Sequence, residues 1–230
     1  MEPEAFEKLI GTVLEAERGP ARKRTVGVMY PSEAFGCTRR VYWDYVDPLP
    51  AGEALAKYGW SGRVFEHEII NLVLAGESIA RYKVKGIQRT LEKRDPETNL
   101  ILRGRGDTFI ELEVDGTPLV LEYKSTTRVA LKAEMGWIPA RGDLAQLQCY
   151  LDMKTIQAGI LAYFDRGDMT TKAYKVQHEP AEMLKILQWF RRLHHNVLHR
   201  TLPELEEITV GCETCRYGAR CFPPVRIEAE

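Results

Sequence analysis

The 230-residue sequence predicts an α/β fold. Two observations carry that expectation. Asp115-Gly116 sits between two runs of alternating apolar residues, the signal for a two-residue type I′ hairpin whose central positions both need positive φ. On either side of that hairpin lie long stretches with apolar residues at helical spacing, and further strand-like runs.

Residues 3–17 read as a helix, with Phe6, Leu9, Ile10, Val13 and Leu14 on one stripe. After a basic loop around Gly19-Pro20, Pro31-Ser32 is expected to open a helix carrying Cys37, Arg40, Tyr42 and Trp43, closed by Pro48 and Pro50. A long helix follows from Ala51 to Leu74, with Gly59 and Gly62 as points of interruption and Val64, Phe65, Ile69, Leu72 and Val73 as its buried stripe. Strands are expected at Ile79–Leu91 and Leu100–Arg105, then the hairpin. Helices at 128–136 and 142–154, a strand pair at 156–164 and 170–177 and a helix at 180–200 complete the chain before an irregular tail from Pro203.

Hairpin geometry fixes which residues face each other. Positions equidistant from the turn pair, setting Asp107 opposite Lys124 and Phe109 opposite Glu122 on one face. Ile110, Leu112, Val114, Leu119, Leu121 and Tyr123 form the other face, so the ribbon is expected to have a core side and a chemical side. Two neighbouring carboxylates repel unless a cation bridges them or one is protonated. Hard oxygen donors in a partly open site suit Mg2+ or Mn2+, and Lys124 beside them can hold a water or offset charge on a phosphate. The plain alternative is an exposed strand with Asp107 and Lys124 paired across it. His67, on the long helix, is a candidate to complete the carboxylate set, with Glu66 in competition. Gln146 and Tyr150, four residues apart, share a helical face.

Composition sets broader limits. A 44% hydrophobic chain with net charge -1 can bury one sizeable core and neither demands nor excludes nucleic acid. The basic clusters are Arg22-Lys23-Arg24, Arg39-Arg40, Arg103 with Arg105, and Arg191-Arg192 with His194, His195, His199 and Arg200. One large domain with an accessory lobe is expected, without internal repeats or low-complexity linkers. The acidic amphipathic N-terminus lacks the apolar run of a signal peptide and no window has the length of a membrane span, so a cytoplasmic protein is expected.

Of five cysteines, Cys212, Cys215 and Cys221 lie as C-x2-C-x5-C, and Cys37 is the natural fourth ligand if the tail folds back. In an intracellular chain this spacing favours metal over disulfide, with zinc and iron-sulfur both open. Cys149, among Leu144, Leu147 and Leu151, reads as a buried small hydrophobe.

Taken in order, His67, Asp107, Glu122-Tyr123-Lys124 and Gln146-x3-Tyr150 resemble the RecB-like branch of the PD-(D/E)XK nucleases. With Cys37 and the C-terminal cysteines, residues 28–222 resemble its iron-sulfur version, in size and layout the CRISPR-associated RecB-like exonucleases of the fourth Cas family. The resemblance implies a restriction-endonuclease-like mixed β-sheet flanked by helices, one RecB-like nuclease domain over 1–230. It also implies a helical iron-sulfur lobe made by the region around Cys37 and the tail 208–224. It implies metal held by His67, Asp107, Glu122 and the Tyr123 carbonyl, Lys124 positioning or deprotonating the attacking water, and Gln146 and Tyr150 orienting lysine and DNA. Cys37, Cys212, Cys215 and Cys221 would hold a [4Fe-4S] cluster. The family usually places three residues between its glycine and histidine, whereas four separate Gly62 from His67. Counting therefore falls on Glu66, while Glu68-Ile69-Ile70 after His67 keeps the histidine as ligand.

The implied activity is a metal-dependent exonuclease on single-stranded DNA ends, 5′ to 3′, trimming DNA for spacer acquisition with the Cas integrase complex as partner. Self-association is compatible with it. A RecB-like nuclease of viral or repair metabolism fits the same residues. A non-catalytic DNA-binding adaptor with a structural cluster is the reading from another class.

Overall fold

The computed structural model describes Thr12 and residues 23–50, 53–87, 89–105, 109–205 and 212–222. The helix expected over 3–17 lies outside them, Thr12 excepted, as does Asp107. The chain divides into two compact units, one built from Gly27–Gly36 and Ser61–Arg192, the other containing Cys37–Trp60 and the residues from Leu193 onward.

In chain order the elements are β1 (Val28–Met29), a 3-10 turn (Pro31–Glu33), α1 (Thr38–Val46), α2 (Glu53–Gly76), β2 (Tyr82–Ile87), β3 (Thr90–Arg94) and β4 (Ile101–Arg105). Then come β5 (Phe109–Val114), β6 (Thr117–Thr126), α3 (Val129–Glu134), α4 (Arg141–Lys154), β7 (Ala158–Asp165), β8 (Thr171–Gln177), α5 (Pro180–His199) and α6 (Gly218–Cys221). Two expectations are corrected. The helix foreseen from Pro31 is a single 3-10 turn followed by α1, with Cys37 at the cap of α1. The strand foreseen at Ile79–Leu91 is two strands in different sheets, its start being the turn after α2, where Ile79 is exposed. Helix α2 runs through Gly59 and Gly62 without a break.

The larger unit holds a mixed five-stranded sheet, β2-β5-β6-β7-β8, and a three-stranded sheet, β1-β4-β3. Its architecture is the restriction-endonuclease-like one, a mixed sheet flanked by helices. Asp115 and Gly116 both have positive φ, 48° and 80°, and β5 pairs β6 with Phe109 opposite Glu122. The register is the one that the turn chemistry predicts.

Strand β6 runs parallel to β7. Parallel neighbours need a long crossover, and here it is α3 and α4. Ile69, Ile70 and Val73 of α2 cover the face formed by Ile110, Leu112, Leu121 and Tyr123. Leu147, Tyr150 and Leu151 of α4 cover the opposite face, against Phe109, Val120, Leu161 and Tyr163. Both faces of the hairpin are therefore core, and the expected division into an apolar side and a chemical side does not hold: the polar groups occupy the edge of a second hydrophobic core.

Helix α4 is buried from Ala145 to Leu151 because it also meets the smaller sheet. Lys93 of β3 donates to Asp152 at 2.7 Å, and the Tyr150 ring lies over Gly104 of β4, where an added Cβ would come within 2.4 Å of the ring. Only glycine admits that approach.

In the smaller unit, Asp44 of α1 accepts from the Tyr217 hydroxyl at 2.6 Å and pairs with Arg216, while Arg220 pairs with Asp47 at 2.7 Å. The Tyr217 hydroxyl also accepts from Leu49 N at 3.1 Å, and burial with the Asp44 bond pushes its phenol up to about 12. These contacts dock the cysteine-bearing tail on α1.

Candidate active site

The crossover brings α4 to the lysine near the end of β6. Lys124 Nζ is 2.9 Å from Glu122 Oε1, donates to Gln146 Oε1 at 2.8 Å, and lies 3.7 Å from Asp143 Oδ1. Gln146 Nε2 in turn donates to the Tyr150 hydroxyl at 3.2 Å, so the spacing of four on α4 builds a relay from tyrosine to amide to lysine. Tyr150 is 1% exposed and packs its ring on Phe109, with centroids 5.1 Å apart. Its hydroxyl is turned to Gln146 within the core, not to the surface.

Two further residues join the site. The Tyr163 hydroxyl donates to Asp143 Oδ2 at 2.6 Å and accepts from Ala140 N at 3.0 Å. Tyr163 faces Lys124 in the parallel β6/β7 ladder. Sequence reasoning missed both. Asp143 was findable, being three residues before Gln146 and so on its helical face. Tyr163 was not, because its place depends on a parallel pairing that no turn announces.

Electrostatics follow from burial. The Glu122 side chain is fully buried, and the ammonium beside it supplies the compensation a buried carboxylate needs. Burial alone would lower the lysine's pKa. The Glu122 and Asp143 carboxylates outweigh that and hold it above the usual lysine value, so Lys124 is a cation at neutral pH. Burial, reinforced by Asp143, keeps the Tyr163 phenol protonated and donating.

Among the other expected residues, His67 is exposed on α2. Glu66 is half-buried, and its carbonyl oxygen accepts from the Tyr123 hydroxyl at 3.4 Å, fixing this turn of α2 against β6. Among the described residues no three His, Cys, Asp or Glu side chains converge on a point that would hold a metal ion. Asp107 is not among them. The oxygen donors present, the Glu122 carboxylate and the Tyr123 carbonyl, are of the hard type that Mg2+ and Mn2+ take.

Cys212, Cys215 and Cys221 are half-buried and Cys37 is exposed. Cys215 N bonds Cys212 O at 3.2 Å and Cys221 N bonds Tyr217 O at 3.2 Å, so the loop turns tightly on itself. It is tied to α1 at Asp44, seven residues and about 10 Å of helix beyond Cys37. Four thiols in one unit fit a thiolate-held centre by chemistry, though their sulfurs do not converge. Cys149 is fully buried, and burial pushes its thiol far up.

Of the basic clusters, Arg191 is committed to structure: its guanidinium grips both carboxylate oxygens of Asp95 and also Glu97. Arg103 pairs with Glu92 across β3 and β4, and Arg39 donates to the Pro203 carbonyl.

Residues 53–222 match the family model of the PD-(D/E)XK nuclease superfamily. The chain belongs to that superfamily and is, as such, a nuclease, a phosphodiester hydrolase of a class that works with Mg2+ or Mn2+. Among solved structures it is similar to SSO0001, with 16% identity, 96% of each chain covered and a TM-score of 0.61. It also matches LHK-Exo in complex with dAMP, at 11% identity, 76% of this chain and 92% of that one, TM-score 0.47. A further match is the alkaline exonuclease LHK-Exo from Laribacter hongkongensis, at 13% identity, 82% and 95% coverage, TM-score 0.41. No curated protein matches the sequence. Among the described residues no helix is long and apolar enough to cross a membrane.

Proposed function

We propose that this chain is a metal-dependent DNA exonuclease that acts on single-stranded ends in the 5′ to 3′ direction. The observation that carries the reading is the contact of Lys124 with both Glu122 and Gln146, in a chain of the PD-(D/E)XK superfamily. Glu122 and Asp107, with the Tyr123 carbonyl and His67, are the proposed holders of Mg2+ or Mn2+. When bound, the ion supplies Lewis-acid polarisation of the phosphodiester and a lowered pKa for a coordinated water. The chain's own part is positional and electrostatic. Gln146, held by Tyr150, and Asp143, held by Tyr163, fix the ammonium of Lys124 where a water or a phosphate oxygen meets it. As a cation, Lys124 orients these groups and offsets developing negative charge.

The same reading assigns Cys37, Cys212, Cys215 and Cys221 to a [4Fe-4S] cluster in the smaller unit. The proposed cellular task is cytoplasmic trimming of DNA for CRISPR spacer acquisition beside the Cas integrase complex.

End-labelled single-stranded DNA, incubated with Mn2+ or Mg2+, tests the activity. Metal-dependent loss of full-length DNA by wild type, absent in Asp107→Ala and Glu122→Gln, is expected, and the label that disappears first gives the polarity. Equal digestion by the variants would remove the catalytic assignment. For the cluster, protein purified without air is expected to be brown, with iron and acid-labile sulfide in near-equal amounts; stoichiometric zinc without iron would rule the cluster out.

A further inference from the structure

The crossover segment between β6 and α4 leaves three large apolar side chains in solvent. Leu131 is 43% exposed, Met135 52% and Trp137 59%. Such residues on a loose loop would mean little, but this backbone is tied down at every turn. Asp165 Oδ2 accepts from Val129 N at 2.8 Å, capping the start of α3. At the other end Gly136, with φ of 68°, lets the chain close a Schellman motif: Trp137 N donates to Lys132 O at 2.8 Å and Gly136 N to Ala133 O at 3.1 Å. Ile138 then plugs into the core, its carbonyl accepting from the Tyr174 hydroxyl at 3.2 Å, and Ala140 N reaches the Tyr163 hydroxyl. The indole is thus an exposed aromatic on a fixed support.

Its surroundings identify an occupant. Ala140, three residues on, donates to Tyr163, whose hydroxyl bonds the Asp143 carboxylate that lies 3.7 Å from Lys124, and Trp137 is within about 11 Å of Ala140 along the backbone. The segment carries Arg128 and Lys132 against one acid, Glu134, and Arg141 follows as the first residue of α4. Arg128 and Arg141 are exposed, and the Arg141 guanidinium stacks over Phe35 at 3.9 Å. Lys132 bonds the Thr126 hydroxyl at the end of β6. Exposed apolar side chains interspersed with cations, on a segment hydrogen-bonded through Ala140 to Tyr163 of the lysine site, suit a polymer with flat apolar bases on an anionic backbone. Bases are free to stack on a side chain only when the strand is single.

We propose that Trp137, flanked by Leu131 and Met135, is a stacking platform for a base of the single-stranded DNA whose backbone lies at Lys124. The proposal rests on the nuclease reading above. It adds the residue that favours single strands over duplex and a point at which the strand is held beside the site.

The test uses the full chain in EDTA at fixed salt, with dye-labelled oligothymidylate followed by fluorescence anisotropy, beside a duplex of equal length. Trp137→Ala is expected to weaken single-strand binding about five- to hundredfold and Trp137→Phe far less. Duplex binding should change little. An abasic site stepped along the oligonucleotide should find one position at which wild type and Trp137→Ala bind alike. In Mn2+ the Trp137→Ala variant should show a raised KM with kcat kept at saturating DNA. A wild type that cuts single strands, with Trp137→Ala binding them equally well, overturns the platform alone and leaves the patch to a protein partner. A wild type that neither binds nor cuts them overturns the nuclease reading and the platform together.

Discussion

Replacing Lys124 by methionine separates what the ammonium does for stability from what it does for cleavage. Glu122 has no exposed side-chain surface, whereas the Lys124 side chain keeps 22%. Removing one partner of a buried ion pair costs about 3–5 kcal/mol, because a charge stays buried without its counter-ion. The lysine's partial exposure lets water replace it in part, which brings the expected cost to about 2–3 kcal/mol. For a chain of 230 residues each kcal/mol lowers the melting temperature by about 2–4 °C, so Lys124→Met in EDTA should melt about 4–12 °C below wild type. A divalent cation can take over the compensation of Glu122, and binding at a hundred times its Kd contributes about 2.7 kcal/mol. The EDTA-to-Mn2+ rise in melting temperature should therefore be larger in Lys124→Met than in wild type, while nuclease activity stays lost. Differential scanning calorimetry with and without Mn2+ reads both terms. Adding Glu122→Gln should recover much of the lost stability, since the buried charge then disappears with its partner. A variant that melts with wild type in EDTA, or whose Mn2+ response is no larger, would refute the argument that the ammonium compensates this carboxylate.

Three further perturbations probe the fold and the supports of the site. Arg191 holds Asp95 well below its ordinary carboxylate range, at about 2. A folded-state pKa below the unfolded one contributes stability above about pH 4 that is lost as pH falls towards 2. Arg191→Met should thus cost about 2 kcal/mol in urea unfolding at pH 7 and much less at pH 2; an equal loss at both would contradict the assignment. Gly104→Ala drives a Cβ into the Tyr150 ring and should cost about 1–3 kcal/mol in the same assay, partly relieved by Tyr150→Leu, and unchanged stability would show that the ring gives way freely. Gln146→Leu removes the lysine's amide contact inside the core, so kcat should fall by up to about a hundredfold with KM for DNA unchanged. A raised KM instead would mean that the amide meets the substrate itself.

The distance over which a contact acts decides how much of this protein is legible from sequence. The hairpin is legible because its information is local: Asp115-Gly116 sets the turn, the turn sets the register, and Phe109 faces Glu122 as arithmetic requires. Gln146 and Tyr150 are legible through helical spacing. The strand beside Lys124 is not, because β6 meets β7 through a crossover and no local signal places Tyr163 opposite Lys124. Arg191 shows the same limit from the other side. Read alone it belongs to a basic cluster on a helix; in the structure it is bound to Asp95, 96 residues away. Between Ile79 and Leu91 one apolar run serves two sheets, and the register shift between Val84 and Gly86 in β2 breaks the alternation that would have marked the boundary.

Burial on both faces explains why binary patterning misjudged the hairpin although it put Glu122 and Lys124 on one face. A strand covered on both sides should be apolar throughout, and the buried centre of β6 carries Val120, Leu121 and Tyr123. Glu122 stands among them with no surface of its own. A carboxylate costs several kcal/mol to bury without compensation, so the fold has to bring cations or donors to it. Lys124 is two residues along on the same face. Gln146 and Asp143 then hold that lysine, and Tyr150 and Tyr163 hold them in turn, so a relay reaching into the core depends on one misplaced charge. Had Glu122 been an exposed partner of a surface lysine, neither the amide nor the two tyrosines would have had reason to converge. Their convergence sets this buried acid-lysine pair apart from an exposed ion pair on a strand.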